Sequence, residues 1–529
     1  MKDLERRDFL KLSAAAGIAA FGSRAAFAGG ANMKEPAAEL EETTIADLQK
    51  AMASRQMTAH GIAQGYLDRI KAIDPKLNAM IELNPDALTI ADAMDRERKS
   101  GKLRSPLHGI PIVIKDNIDT ADKMKTTAGS LALLDAPTPK QDAFLVKQLR
   151  QAGAVILGKT NLSEWANFRS TKSSSGWSGR GGQTHNPYIL DRNPCGSSSG
   201  SGAAVAANLA AVAIGTETDG SIICPSSTCG IVGIKPTLGL VSRAGVIPIA
   251  HSQDTAGPMT RNVADAAALL SVLVAADPND TITTQASKGA QDYTKFLLAD
   301  GLQGMRIGVG RQYFGRSDKV DKVIEPHLQV LKDGGATLID VTFTKLRDFG
   351  DAEYEVLLFE FKEDLNKYLA ARGGANRTLK DLIDFNEKNA DKEMPYFGQE
   401  IFHQAEAKAD LNDRAYRLAL MESKLYTQEQ GIDVVMDQEK LDAIVAPSGG
   451  TAWMTDLVGG DCGVFESSSL AAVAGYPNIT VPAGYVQGLP VGISFFGRAF
   501  SEPTLIKAAY AFEQATKARK TPKFLPTYV

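Results

Sequence analysis

Two hydrophobic periods alternate along most of this chain, and each predicts a different element. "TAHGIAQGYLDRIKAID" places Ile62, Tyr66, Ile70 and Ile73 at i, i+4, i+8 and i+11, the spacing that lines one face of an α-helix. "DAFLVKQLRQAGAVILGKTN" reads as a helix capped by Asp142 and stopped at Gly153, then a buried strand from Ala154 to Leu157. "EPTLIKAAYAFEQAT" reads as a closing helix with Pro503 in its first turn and Leu505, Ala508, Phe512 and Ala515 on one face. Between such segments lie short apolar runs beside Gly or Pro: "GIPIVIKDNI", "GMRIGVG", "DAIVAP", "PNITVPAG" and "GLPVGISFFG". These read as strands, and the alternation predicts an α/β fold. Residues of about 285–440 are more charged and mostly helical in pattern, which predicts a covering subregion over the core.

The first 28 residues follow another pattern. A charged start, "MKDLERRDFLK", precedes a short apolar run, "LSAAAGIAAF", and the small-x-small sequence Ala26-Phe27-Ala28. That is the layout of an export signal cleaved before Gly29. Arg6-Arg7 followed by Asp8-Phe9-Leu10-Lys11 resembles a twin-arginine signal, with Glu5 where Ser or Thr is usual. The expected location is the periplasm or beyond. Residues 29–43 read as a linker and 44–529 as the folded body. No later segment has the uncharged apolar length of a membrane helix, so no membrane association is expected once the signal is removed.

Composition narrows the function classes. With 529 residues and 44 % hydrophobic content the chain can bury a large core. The net charge of −4 is spread without a basic stripe, which disfavours a nucleic-acid partner. Four cysteines in so long a chain are not a disulfide framework. Cys224 and Cys229 are close enough in sequence to bridge, but buried free thiols are the expectation. The six histidines are dispersed and metal-ligand spacings are missing, so neither a metal nor an organic cofactor is expected.

The candidate chemistry lies in the middle third. "NPCGSSSGSGAAVAANLAAVAIGTETDGSIICPS" runs from Asn193 to Ser226. Its Gly/Ser density before an apolar stretch predicts a tight loop feeding a helix, with free backbone N–H groups suited to an anion. A phosphate is one candidate, although the Gly-Lys-Ser/Thr ending of a P-loop is missing. The other is a transient oxyanion formed when a serine attacks a carbonyl. Such a serine needs a base. Lys115, at the polar end of "IPIVIK", could serve if apolar surroundings disfavoured its ammonium form. Taken singly, a strand-end lysine is more often a surface charge and a Gly/Ser loop more often a turn.

Longer blocks carry more. "GIPIVIKDNID", "RNPCGSSSGSGAAVAANLAAVAIGTETDGSI", "GLVSRAGVIPIAHSQDTAGPM" and "YPNITVPAGYVQGLPVGISFFGRAFSEPTLIKAAYAFEQAT" resemble the amidase signature family over nearly all of residues 44–529. The chain is most similar to the secreted bacterial branch that includes peptide amidases. The resemblance implies a large mixed β-sheet covered by helices on both faces. It also implies hydrolysis of a small-molecule or peptidyl carboxamide through an acyl-enzyme, by a Ser-cisSer-Lys triad. Ser221 matches the family nucleophile, Ser197 the bridging serine after a cis peptide bond from Gly196, and Lys115 the lysine. The implied oxyanion hole is the backbone N–H groups of Thr218, Asp219, Gly220 and Ser221. Trp165 and Ala166 match pocket-lining positions, where a tryptophan can equally be core.

The sequence departs from the family pattern at several places. Cys195 and Ser199 stand where the family has glycine, Gly202 replaces a small residue, and Thr218-Asp219 replaces an apolar residue and Gly. A carboxylate aimed at the oxyanion would oppose it, so Asp219 must face away or pair elsewhere. Three alternatives stand beside hydrolysis: a transamidase subunit serving a partner protein and tRNA, a catalytically silent binding protein, and an anion-binding module. The intact Lys115, Ser197 and Ser221 weigh against the silent protein, and the export signal weighs against the transamidase. The acyl and amine groups of the substrate and the oligomeric state are not legible.

Overall fold

The short apolar runs become the strands of one sheet. The computed structural model describes residues 40–289, 292–462 and 465–528; the expected export signal at 1–28 and the expected linker up to residue 39 lie outside the described residues. The sheet consists of β1 (Met80–Leu83), β2 (Pro111–Lys115), β3 (Val155–Thr160), β4 (Val212–Glu217), β5 (Val232–Lys235) and β6 (Thr255–Thr260). It continues with β7 (Arg306–Gly310), β8 (Thr337–Val341), β9 (Ala443–Pro447), β10 (Asn478–Val486) and β11 (Leu489–Phe496). Their spatial order is β1-β3-β2-β4-β6-β5-β10-β11-β9-β7-β8.

The sheet is mixed. β3, β2 and β4 run parallel to one another, as do β9, β7 and β8, while the strands between these two groups pair antiparallel. Every residue of β2, β3, β4, β5, β6, β9 and β11 is buried. Side chains alternate between the faces of a strand, so both faces of the middle of the sheet are covered. The edges differ: Leu83 on β1 is exposed, and β8 has one buried residue.

The helical periods hold with local corrections. Ile62, Tyr66 and Ile70 are buried in the helix Ala59–Ile73, as are Leu505, Ala508 and Phe512 in the helix Glu502–Thr516, whereas Ala515 is exposed. Asp142 does not cap the helix Phe144–Gln151. Its carboxylate instead accepts from the Ala121 N–H at 2.8 Å and pairs with Arg150 at 3.0 Å. Residues 40–43 are packed rather than linker: Leu40 is buried and Glu42 pairs with Arg519 at 2.7 Å.

The covering subregion is narrower than the pattern implied. Residues 306–341 supply β7, the helix Asp318–Asp333 and β8, which extend the sheet. Charge misled there because it belongs to the solvent face of the helix Asp318–Asp333, which packs on the sheet. The cover proper begins with the helix Gly350–Arg372 and continues through Leu379–Lys388, Glu400–Glu406 and Arg414–Lys424. Its own apolar cluster joins Leu358, Phe361, Leu365 and Phe402 to Trp165, Phe168 and Ile249 from the sheet side.

Candidate active site

Strand register brings the candidate base to its partners. β2 runs parallel to β4 with Ile114 beside Ile214, so Lys115, at the end of β2, lies level with Gly215 and one step short of Thr216. Its side chain is fully buried. Lys115 Nζ is 2.7 Å from Ser197 Oγ, 2.9 Å from Thr216 Oγ1 and 3.4 Å from the Thr216 carbonyl. An ammonium donates in all three contacts; a neutral amine can instead accept from the Ser197 hydroxyl. Burial lowers the Lys115 pKa from 10.5 to about 7, against the charges of Asp254 and Glu217, which raise it. Both of these carboxylates come from other strands or their ends and reach Lys115 only through the fold. Asp116 is not one of them: its carboxylate takes the Thr127 hydroxyl and faces Arg180 at 3.5 Å.

The two serines sit on adjacent loops. Ser197 follows the cis Gly196–Ser197 peptide bond and precedes the helix Ser199–Ala206. Gly196 has no room for a side chain, because a Cβ there would run into Ser163 Oγ. Ser221 follows β4 and precedes the helix Ile223–Thr228. The Ser198 N–H donates to the Ser221 carbonyl at 3.2 Å, and the Ser198 hydroxyl to the Thr216 carbonyl at 3.0 Å, so the loops lie side by side. Ser221 is 8 % exposed, whereas Ser197 is fully buried.

Around Ser221 three backbone carbonyls are occupied while the amides stay open. The Thr218 carbonyl accepts from Gln253, the Gly220 carbonyl from the Cys224 N–H at 2.8 Å, and the Ser221 carbonyl from Ser198. Among the described residues, none accepts a hydrogen bond from the backbone N–H of Asp219, Gly220 or Ser221. Gly220 has φ +75°, in the left-handed region that glycine tolerates, and a Cβ there would run into the Glu466 carboxylate. Asp219 does pair elsewhere: its carboxylate accepts from Ser468 at 2.9 Å.

Three carboxyls brace this loop without having been singled out in the sequence. Glu217 Oε2 accepts the Ile222 and Ile223 N–H groups at 2.7 and 3.0 Å, which anchors the start of the helix that follows Ser221. Asp254 accepts the Thr218 hydroxyl at 2.6 Å; Thr255 opposes Glu217 in the β4–β6 register, so Asp254 and Thr218 meet one step on. Burial raises the Asp254 pKa to about 6. Glu466 lies against Gly220, and burial together with the charges of Asp219 and Glu217 raises its pKa to about 8. Only Glu217, four residues before Ser221 in "GTETDGSI", offered a local signal; Asp254 and Glu466 depend on strand pairing and on a distant loop.

The remaining expectations divide. Trp165 is 2 % exposed and packs edge-on to Phe402 at 5.8 Å, which makes it core rather than pocket lining. Ala166 is half-buried and lines a small cavity with Thr216, Thr218 and Asp254. The expectation of buried free thiols at Cys224 and Cys229 fails for Cys224, which forms a disulfide with Cys195. Cys229 is buried and free, and Cys462 is exposed and free. Spacing along the chain would have let Cys224 reach Cys229, but the two serine loops bring Cys195 to Cys224 instead. His251, Glu360 and Asp364 also converge. Both ring nitrogens of His251 face carboxylates, Asp364 at 2.7 Å and Glu360 at 3.3 Å. That is the arrangement of an imidazolium held by two acids.

Comparison with known proteins decides the family. The amidase family model matches residues 62–506. This chain belongs to the amidase family. A probable amidase of Arabidopsis thaliana is 44 % identical, over 92 % of each chain. The native peptide amidase from Stenotrophomonas maltophilia superposes with a TM-score of 0.87 at 50 % identity, covering 92 % of this chain and 99 % of that one. A glutamyl-tRNA(Gln) amidotransferase component of Thermoanaerobacter pseudethanolicus is 36 % identical, over 92 % of this chain and 99 % of its own. The mixed α/β sheet is the amidase-signature fold, and the protein is an amide hydrolase.

Proposed function

We propose that this amidase hydrolyses the carboxamide of a small or peptidyl acyl group with Ser221 as nucleophile, Ser197 as proton relay and Lys115 as base. The observation that carries the reading is Lys115 itself, fully buried, with a pKa lowered to about 7 and Nζ 2.7 Å from Ser197 Oγ. Neutral Lys115 takes the Ser197 proton as Ser197 takes that of Ser221, and Ser221 Oγ attacks the amide carbon. The open backbone amides of Asp219, Gly220 and Ser221, with that of Thr218, donate to the oxyanion. One such donor is typically worth about 3–4 kcal/mol in the transition state. Ser197 returns the proton to the departing nitrogen, and ammonia or an amine leaves. Water then attacks the acyl-enzyme through the same relay, freeing the carboxylic acid and Ser221.

A peptidyl acyl side is supported by the 50 % identity to a peptide amidase. A screen for released ammonia or amine over peptide amides, aliphatic amides and aryl anilides tests it. Terminal amides are expected to turn over, and cleavage of internal peptide bonds at rival rates would contradict the reading. Export through the twin-arginine-type segment at residues 1–28 is part of the same proposal. The Cys195–Cys224 disulfide supports it, because disulfides persist in oxidising compartments. N-terminal sequencing from the native host should give a start near Gly29, and a cytoplasmic form retaining Met1 would sink the idea.

The similarity to an amidotransferase component favours one second reading, ammonia transfer to a partner. Removal of residues 1–28 in the host separates the two, because tRNA charging is cytoplasmic.

A further inference from the structure

We propose that the Cys195–Cys224 disulfide is a positioning element of the reaction, holding the Ser197 loop against the Ser221 loop at the separation the proton relay needs. The inference rests on the nucleophile and relay roles proposed above. The disulfide closes a ring over 29 positions with its Cα atoms 6.0 Å apart, and both serines lie inside that ring. Cys195 stands two residues before Ser197, and Cys224 three residues after Ser221. The other ties between these segments are hydrogen bonds, among them the Ser198 N–H to the Ser221 carbonyl at 3.2 Å, the Ser198 hydroxyl to the Thr216 carbonyl at 3.0 Å, the Thr216 N–H to the Ser198 hydroxyl at 3.2 Å, and the Thr228 hydroxyl to the Pro194 carbonyl at 2.7 Å. Each is modest in net strength, whereas the bridge is covalent.

Backbone conformation points the same way. Cys195 has φ +60°, in the left-handed region where glycine is favoured. A side chain is retained at a position that backbone energy alone would give to glycine, and its sulfur is what the site gains. Internal exchange is blocked. Cys229, whose Sγ lies 3.7 Å from the Pro194 carbonyl, is fully buried and its pKa is pushed up to about 12 by burial, so it holds no thiolate to attack the bridge. Lys115, on β2, lies outside the ring.

Cys195→Gly and the double variant Cys195→Ala/Cys224→Ala test the proposal, with Cys462→Ser as control. Turnover, fluorophosphonate labelling of Ser221, the pH profile, and the folded fraction by circular dichroism are read together. We expect kcat per folded molecule to fall about 10- to 100-fold in both variants, as for a small misplacement of reacting groups. KM should stay within about threefold, labelling should fall in parallel, and the midpoint of the pH profile should not move, because Lys115 is untouched. A dithiol reductant should reproduce the loss in wild type. The S–S bond takes two electrons and two protons to give two thiols, the dithiol becomes a cyclic disulfide, and the loss should track the two newly alkylated cysteines. Wild-type kcat per folded molecule in both variants would overturn the proposal, as would a loss accounted for wholly by unfolded protein. Wild-type enzyme that turns over amides without labelling at Ser221 would instead overturn the nucleophile assignment beneath it.

Discussion

Lys115 carries the chemistry because two effects on its charge oppose each other and burial wins. Its pKa falls from 10.5 to about 7 despite Asp254 and Glu217. The reactive form is the neutral amine, so kcat/KM should rise with pH, with a midpoint near 7, and stay high in alkali. Asp254→Asn removes a charge that favours the ammonium, so the midpoint of that profile should move to lower pH; an unchanged or higher midpoint would contradict the electrostatic account. Lys115→Ala and Ser221→Ala should each lower kcat by roughly 10⁴- to 10⁶-fold while the circular dichroism spectrum is kept. Lys115→Arg should not rescue, since a guanidinium stays charged. Ser197→Ala should retain more activity than Ser221→Ala, because it removes a relay and not the nucleophile. At this scale the sequence is legible for residues in contiguous motifs, such as Lys115, Ser197 and Ser221. It is silent for Asp254 and Glu466, which reach the site through pairing of distant segments.

At the scale of elements, the loop before Ser221 is held open by its surroundings. Glu217 ties the start of the following helix, Asp254 holds Thr218, and Glu466 with Ser468 crowds Gly220 and Asp219. Holding Glu466 there costs stability when it ionises. Its pKa is raised from 4.5 to about 8 by burial and the charges of Asp219 and Glu217. A carboxyl with a raised folded-state pKa contributes stability that is complete below about 4.5 and is lost as pH rises to about 8. Glu466→Gln should therefore raise Tm relative to wild type by an amount that grows from pH 5 to pH 8 and is level above it. A gap that shrinks over that range would contradict the assignment. The strands at this scale are legible because a strand buried on both faces must be apolar at nearly every position, as in β2, β9 and β11. β8 is not, since this short half-solvated edge strand follows the charged helix Asp318–Asp333, and the whole segment reads as cover. The disulfide is hidden for a related reason: its cysteines stand 29 positions apart, and only the adjacency of two loops makes the pair.

Across the whole molecule, the helical cover and the sheet share an apolar cluster, and that sharing sets where the site floor lies. Phe402, from the cover, meets Trp165 at 5.8 Å and Phe361 at 5.4 Å, and Ile249 in the same cluster lies five residues before Asp254. Phe402→Ala should destabilise the protein by about 3–5 kcal/mol in urea unfolding, as large-to-small core changes do. A loss within experimental error would show that the cover is not packed on the sheet through this residue. Trp165 is ambiguous in sequence because a large aromatic beside a site serves core and pocket alike; its partners on the cover resolve it.

The central claim, a serine nucleophile activated by a neutral lysine, is tested most directly by fluorophosphonate labelling with peptide mapping across pH. A single adduct on Ser221 is expected, forming at a rate that rises with pH through about 7 and falls severely in Lys115→Ala. An adduct on another residue, or a Ser221→Ala variant that hydrolyses amides at the wild-type rate, would contradict it.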